Sequence, residues 1–179
     1  MATLTLQTTA SADDGYYYPG TFTIGAYAVG YDGDLNHAFA RFLNVTIPQG
    51  AIITSAKLQY KALSGTTPAN LQSTIYANKV AAPTSPTSIT TYTGKALTTA
   101  SVNWDSQAAW VANTWYDSPE IKTIIQELID QASWVSGNAM LIMHKNRRVA
   151  SPNGYVEMNG YENGSSNGPK LVITYETTI

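Results

Sequence analysis

The chain has no cysteine among its 179 residues, which excludes a disulfide framework, a thiolate nucleophile and cysteine-ligated zinc. Charge is scarce as well: Asp, Glu, Lys and Arg make up 12% of the chain, against a usual share of roughly 25%. The formal net charge of −2 provides no broad basic face, so DNA and RNA are not expected partners. No apolar run approaches the roughly 18 residues that a membrane-spanning helix needs. The opening MATLTLQTTASADDGYYY has no basic n-region and no apolar core of signal-peptide length, so the general secretion route is not expected.

Histidine, the usual acid, base or metal ligand near neutral pH, occurs twice, as His37 and His144, each on an expected strand. No HExxH helix, no GxxxxGK[ST] loop and no GxGxxG ahead of a helix is present. Gly164-Ser165-Ser166-Asn167-Gly168 matches the letters of a nucleophile elbow, but Pro169 and a strand pattern follow it, not the helix an elbow requires. Lys145-Asn146-Arg147-Arg148 is too small a basic cluster for a nucleic-acid footprint. Enzymatic activity is therefore not expected.

Thr, Ser, Asn, Gly and Tyr take the place of charge, a composition of strands and turns. Apolar and polar residues alternate through Thr3–Thr8, Thr21–Ala28, Ala38–Ile47, Ala51–Leu63, Leu71–Val80, Leu97–Asn103, Ala139–His144, Tyr155–Tyr161 and Leu171–Glu176. Pro19-Gly20, Asp32-Gly33, Pro48-Gln49-Gly50, Ser64-Gly65, Ser136-Gly137-Asn138 and Asn163-Gly164 punctuate them as turns. Many short strands between such turns predict one all-β domain over 1–179, a jelly-roll-like antiparallel sandwich.

One segment departs from period two. In Ser118–Trp134 the residues Ile121, Ile124, Ile125, Leu128 and Ile129 recur at helical spacing. Ser118 is the expected N-cap, followed by Pro119 and Glu120 in the first turn, so a helix of three to four turns over about 118–133 is predicted. The Pro/Ser/Thr-rich stretch 81–93 reads as a surface loop.

The candidate binding surface is aromatic and amide-rich. Tyr16-Tyr17-Tyr18-Pro19 falls in a turn-rich stretch, with Tyr27 and Tyr31 close behind, while Tyr155 and Tyr161 flank Asn159 and Asn163. Sugars present apolar ring faces and hydroxyl edges, so Tyr17, Tyr18, Tyr31, Asp32, Asp34 and His37 form a candidate ligand patch, with Tyr161 and Asn163 as additions. The competing reading is that these tyrosines fill a core. The acidic pairs Asp13-Asp14 and Asp32-Gly33-Asp34 read as turn chemistry or as oxygen ligands for structural calcium, Asp13 and Asp14 being the candidate metal ligands.

The order of segments, and above all Arg41, Phe42, Ile47, Pro48, Gly50, Ala51, Ile52, Ser55, Ala56 and Leu58, resembles the DNRLRE-type β-sandwich domains of bacterial surface proteins and related phage structural modules. The resemblance extends to the NWD turn, the helical segment and the closing GPKLVITYE. It implies a non-catalytic jelly roll akin to carbohydrate-binding modules, used in adhesion, display or assembly. The expectation is a structural or attachment protein on a virion or extracellular surface, foremost a phage decoration or fibre component, oligomeric or lattice-bound through other surface proteins. A carbohydrate-binding module is the alternative.

Overall fold

The computed structural model describes residues 1–63, 68–105 and 107–177; the Ser64-Gly65 turn lies outside them. The strands are β1 (Ala2–Gln7), β2 (Asp14–Tyr18), β3 (Thr21–Ile24), β4 (Tyr27–Tyr31), β5 (Leu35–Phe42), β6 (Ile52–Lys61), β7 (Gln72–Ala77), β8 (Val102–Asp105), β9 (Trp115–Asp117), β10 (Met140–Asn146), β11 (Gly154–Met158) and β12 (Lys170–Glu176). Two helices, α1 (Ile89–Thr93) and α2 (Lys122–Ile129), complete the set. The smaller sheet runs β1-β12-β6-β9 and the larger β11-β4-β5-β10-β7-β8, with the β2–β3 hairpin attached to β5. Every pairing is antiparallel, and the fold is an all-β sandwich.

The main core lies between the sheets. Ala38, Ala40 and Phe42 of β5 and Ile142 of β10 meet Ala56, Leu58 and Tyr60 of β6 and Leu171 and Ile173 of β12. Each set is spaced by two residues, as one face of a pleated strand requires. At roughly 25 cal/mol per Å² of apolar area, each fully buried large side chain here contributes about 2–3 kcal/mol.

A second core lies on the other face of the larger sheet. Phe39, Leu141 and Met143 alternate with the first set and are buried under Tyr92 of α1, with Tyr17, Phe22, Tyr76 and Leu97 packed around them. β10 is thus covered on both sides, which explains why Met140-Leu141-Ile142-Met143 is continuously apolar.

In the stretch 81–93, residues 81–88 form no helix or strand, as a surface loop would, whereas α1 was not expected and covers this second core through Tyr92. Ser88 caps α1 by accepting the Thr91 N–H, and Thr91 returns the bond through its hydroxyl. The cap turns Tyr92 inward, where its hydroxyl donates to the Ala38 carbonyl at 3.2 Å.

The helix after β9 is shorter than the 118–133 predicted, although Ile121, Ile124, Ile125, Leu128 and Ile129 are all buried. Ser118 does not cap it. Its Oγ accepts the Leu58 N–H at 2.9 Å, and the Glu120 carboxylate accepts the Ala56 N–H at 2.6 Å. Backbone bonds from Ser118 and Ile121 to β6 carbonyls continue that attachment, so residues 118–121 follow the sheet edge and the helix starts after them. Trp134 closes the far end, its indole donating to the Ile47 carbonyl at 2.9 Å.

Candidate ligand-binding cleft

The larger sheet forks along one edge of β5. Leu35 and Asn36 pair with Tyr31 and Gly30 of β4, whereas His37 to Ala40 pair with Tyr17 to Asp14 of β2. Two strands cannot occupy one edge, so β4 leaves β5 and turns to β11. Gly25, at φ +73°, separates β3 from β4 where the sequence pattern predicts a single strand over Thr21–Ala28.

At this fork lies a cleft of about 280 Å³ lined by Tyr16, Tyr18, Ala28, Asp32, Asp34, Asn36 and Glu157. Tyr16 and Tyr18 project from one face of β2 with ring centroids 6.1 Å apart and planes inclined by 27°. Asp32 and Asp34 come from the tight turn joining β4 to β5, where Gly33 takes φ +112°. Asn36 is 3% exposed and anchors that turn, its Nδ2 donating to Asp32 Oδ1 at 2.6 Å. Glu157 enters from β11, and its carboxyl lies above the ordinary range, first through burial and then through the charge of Asp32.

The cleft collects Tyr18, Asp32 and Asp34 of the sequence-derived patch and leaves the others elsewhere. Tyr17 faces the opposite side of β2 and stacks on His37. The His37 Nδ1 accepts the Asn146 N–H at 3.2 Å. Tyr31 is not among the lining residues. Tyr161 and Asn163 form a 3₁₀ turn, the Tyr161 N–H donating to Asp14 at 3.0 Å and the Asn163 side chain accepting the Gly160 N–H at 3.0 Å.

Tyr16, Asn36 and Glu157 were not part of that patch. Tyr16 was missed because Asp14–Tyr18 reads as turn-rich, whereas its period-two arrangement as a strand separates Tyr16 and Tyr18 from Tyr17. Asn36 carried the signal of an Asp-x-Asp-x-Asn turn. Glu157 is 121 residues from Asn36 in the chain, and no local pattern connects them.

The acidic pair ahead of the cleft is bound within the protein. Asp13 is 1% exposed; its Oδ1 takes Arg41 Nε at 2.9 Å and its Oδ2 the Thr9 hydroxyl at 2.9 Å. Asp14 holds the Tyr161 turn, and burial pushes its carboxyl up to about 7. Among the described residues no group of three or more His, Asp or Glu is placed to hold a metal ion.

The second histidine is structural. His144 is fully buried, stacked on Trp104 at 5.4 Å, with Nε2 2.9 Å from Ser73 Oγ. The Ser73 hydroxyl donates to the Trp104 carbonyl, so Nε2 carries the imidazole proton and Nδ1 faces the Tyr27 hydroxyl at 3.4 Å. Residues 164–168 run directly into β12, without the helix of a nucleophile elbow. No protein-family model matches the chain, and comparison with curated proteins gives no match.

Proposed function

We propose that this protein is a non-enzymatic attachment module of a virion or extracellular surface, and that the cleft at the sheet fork binds carbohydrate. The observation that carries the reading is the Tyr16–Tyr18 pair bordered by Asp32, Asp34, Asn36 and Glu157. Aromatic faces stack on the apolar face of a sugar ring, and carboxylate and amide oxygens accept its hydroxyl protons. The two histidines, held in packed surroundings with their ring nitrogens against protein groups, support a binding role over acid–base chemistry. The virion setting, with phage foremost and other surface proteins as oligomeric partners, draws support from the resemblance carried by Arg41 to Leu58.

A glycan array probed with the purified protein, in calcium and again in chelator, tests the reading. Retention of at least one glycan class is expected in both conditions. Tyr16→Ala and Tyr18→Ala each abolish retention while the thermal unfolding transition stays cooperative. A full array without binding overturns the carbohydrate reading, and absence of the chain from purified particles overturns the virion setting.

A further inference from the structure

We infer that Asn153 is a site of spontaneous covalent modification, cyclising onto Gly154 in the folded protein and opening to aspartate or isoaspartate. The chain holds four Asn-Gly pairs, at 153–154, 159–160, 163–164 and 167–168. A glycine carries no Cβ to shield its backbone nitrogen from the side chain of the residue before it. The reaction needs that nitrogen to reach Cγ of the asparagine, so the carboxamide must be free to rotate and the nitrogen free of its own hydrogen bond. Sequence makes the four pairs alike, and the fold separates them.

Three of the carboxamides are pinned. Asn159 is buried, and its Nδ2 donates to the Lys61 and Ala62 carbonyls at 3.0 and 3.1 Å. Asn163 Oδ1 accepts the Gly160 N–H at 3.0 Å, while the Gly164 N–H is spent on the Tyr161 carbonyl at 3.1 Å. Asn167 is held from both ends, Nδ2 donating to the Asn163 carbonyl at 2.7 Å and Oδ1 accepting Lys61 Nζ at 3.0 Å. Asn153 differs: it is exposed, and among the described residues its side chain makes no hydrogen bond. Asn70 Nδ2 donates to its backbone carbonyl at 3.1 Å, which steadies the loop and leaves the carboxamide free. Gly154 is the first residue of β11, an edge strand of the larger sheet, and pairs with Tyr31 at the end of the ladder. A terminal rung opens at far lower free energy than the interior of a sheet, so this nitrogen is released without unfolding the sandwich.

In the step, a bond forms between the Gly154 nitrogen and Asn153 Cγ, and the Cγ–Nδ2 bond breaks. Nδ2 leaves as ammonia, carrying the proton that the Gly154 nitrogen gives up. Solvent water then opens the cyclic imide at either carbonyl, giving aspartate or isoaspartate. Both products put a carboxylate on the loop that carries Arg147 and Arg148, whose Arg148 Nε already donates to the Asn70 carbonyl at 2.9 Å. Isoaspartate also lengthens the main chain by a carbon where there is no slack: Gly154 is buried, and a Cβ on it would run into the Asn70 backbone. The start of β11 is therefore expected to loosen with conversion.

The test incubates the intact protein at mildly alkaline pH, in buffer and in parallel in denaturing urea. Samples are digested under mildly acidic conditions, which halt the reaction, and the peptides are mapped by mass spectrometry. In urea all four Asn-Gly pairs are expected to convert at similar rates, each with a mass gain of about 1 Da. In buffer Asn153 is expected to convert at least about tenfold faster than Asn159, Asn163 or Asn167. Asn153→Gln, checked for an unchanged unfolding transition, is expected to remove the product seen in buffer. An Asn153 that stays intact in buffer overturns the inference. So does conversion of Asn159, Asn163 or Asn167 in buffer as fast as that of Asn153, because the pinned carboxamides then give no protection.

Discussion

Tyr17 lies against His37 with ring centroids 4.9 Å apart and planes inclined by 18°, and Tyr92 meets the same tyrosine edge-on at 4.8 Å. Two residues that composition alone assigns to a ligand patch are thereby joined in the packing between the larger sheet and α1. Tyr17→Ala is expected to lower stability by about 2 kcal/mol, less than a fully buried aromatic because Tyr17 is half-buried. Glycan retention by the cleft stays unchanged. Urea unfolding and array binding on the same variant check both halves.

The acid limb of stability follows from the histidines. Burial, then the charge of Lys145, lowers His37 from 6.5 to about 4, and burial lowers His144 to about 3. Both groups bind protons more readily in the unfolded chain, so their contribution is complete above about pH 6.5 and is lost as pH falls through the window toward 4 and 3. His37→Asn keeps an acceptor for the Asn146 N–H while removing one titration. It is expected to shallow the pH 4–6.5 slope, with a difference on the order of 2–3 kcal/mol at its low end. Denaturation midpoints measured across that window check the slope.

Asp14 has the opposite sign. Its carboxyl is raised from 3.8 to about 7, chiefly by burial, so the folded chain holds the proton that the unfolded chain has already released. Stability from this group is fully present below about pH 3.8 and is lost as pH rises through about 7. Asp14→Asn is expected to equal the parent at pH 4 and to exceed it at pH 8 by about 2–4 kcal/mol, with Oδ1 still accepting the Tyr161 N–H. A parent that is more stable at both pH values overturns the account.

A buried hydroxyl pair ties the two sheets across the core they share. Tyr27 and Tyr60 meet at 2.8 Å, both fully inside, with His144 beyond Tyr27. Tyr60→Phe leaves the Tyr27 hydroxyl only the longer contact at 3.4 Å, and Tyr27→Phe leaves Tyr60 with none. Each single change is expected to cost about 1–2 kcal/mol, and the double variant clearly less than their sum. A fully additive double variant shows that the hydroxyls do not act as a pair.

Alternation made most of the sandwich legible, because β5, β6 and β12 each carry one apolar face that only period two explains. Three strands escaped it: β4, merged with β3 into one expected strand over Thr21–Ala28, and β2 and β9. Tyr16-Tyr17-Tyr18 is amphipathic throughout, so its alternation is one of partners and not of polarity, while Trp115–Asp117 is only three residues long. The helix was legible from its isoleucines but not its start, since Ser118 and Glu120 bond to β6 amides that are distant in sequence. The cleft was half legible: Tyr18, Asp32 and Asp34 are near one another in sequence, but the fork that adds Tyr16 and Glu157 is a tertiary event at the edge of β5.

The place of Arg41 in the fold gives that arginine a physical task. It is 23% exposed and holds the 1% exposed Asp13 through Nη2 at 2.8 Å. Arg41→Ala leaves a buried carboxylate without its cation and is expected to cost about 3 kcal/mol. Arg41→Ala with Asp13→Asn recovers part of the loss, because the buried charge is gone while Thr9 can still donate to the amide oxygen. Calcium separates this account from a metal site at Asp13 and Asp14. With the Asp13 oxygens held by Arg41 and Thr9, millimolar calcium is expected to leave the parent Tm unchanged. A calcium-dependent rise in Tm, abolished by Asp13→Asn, would assign that carboxylate to the ion instead.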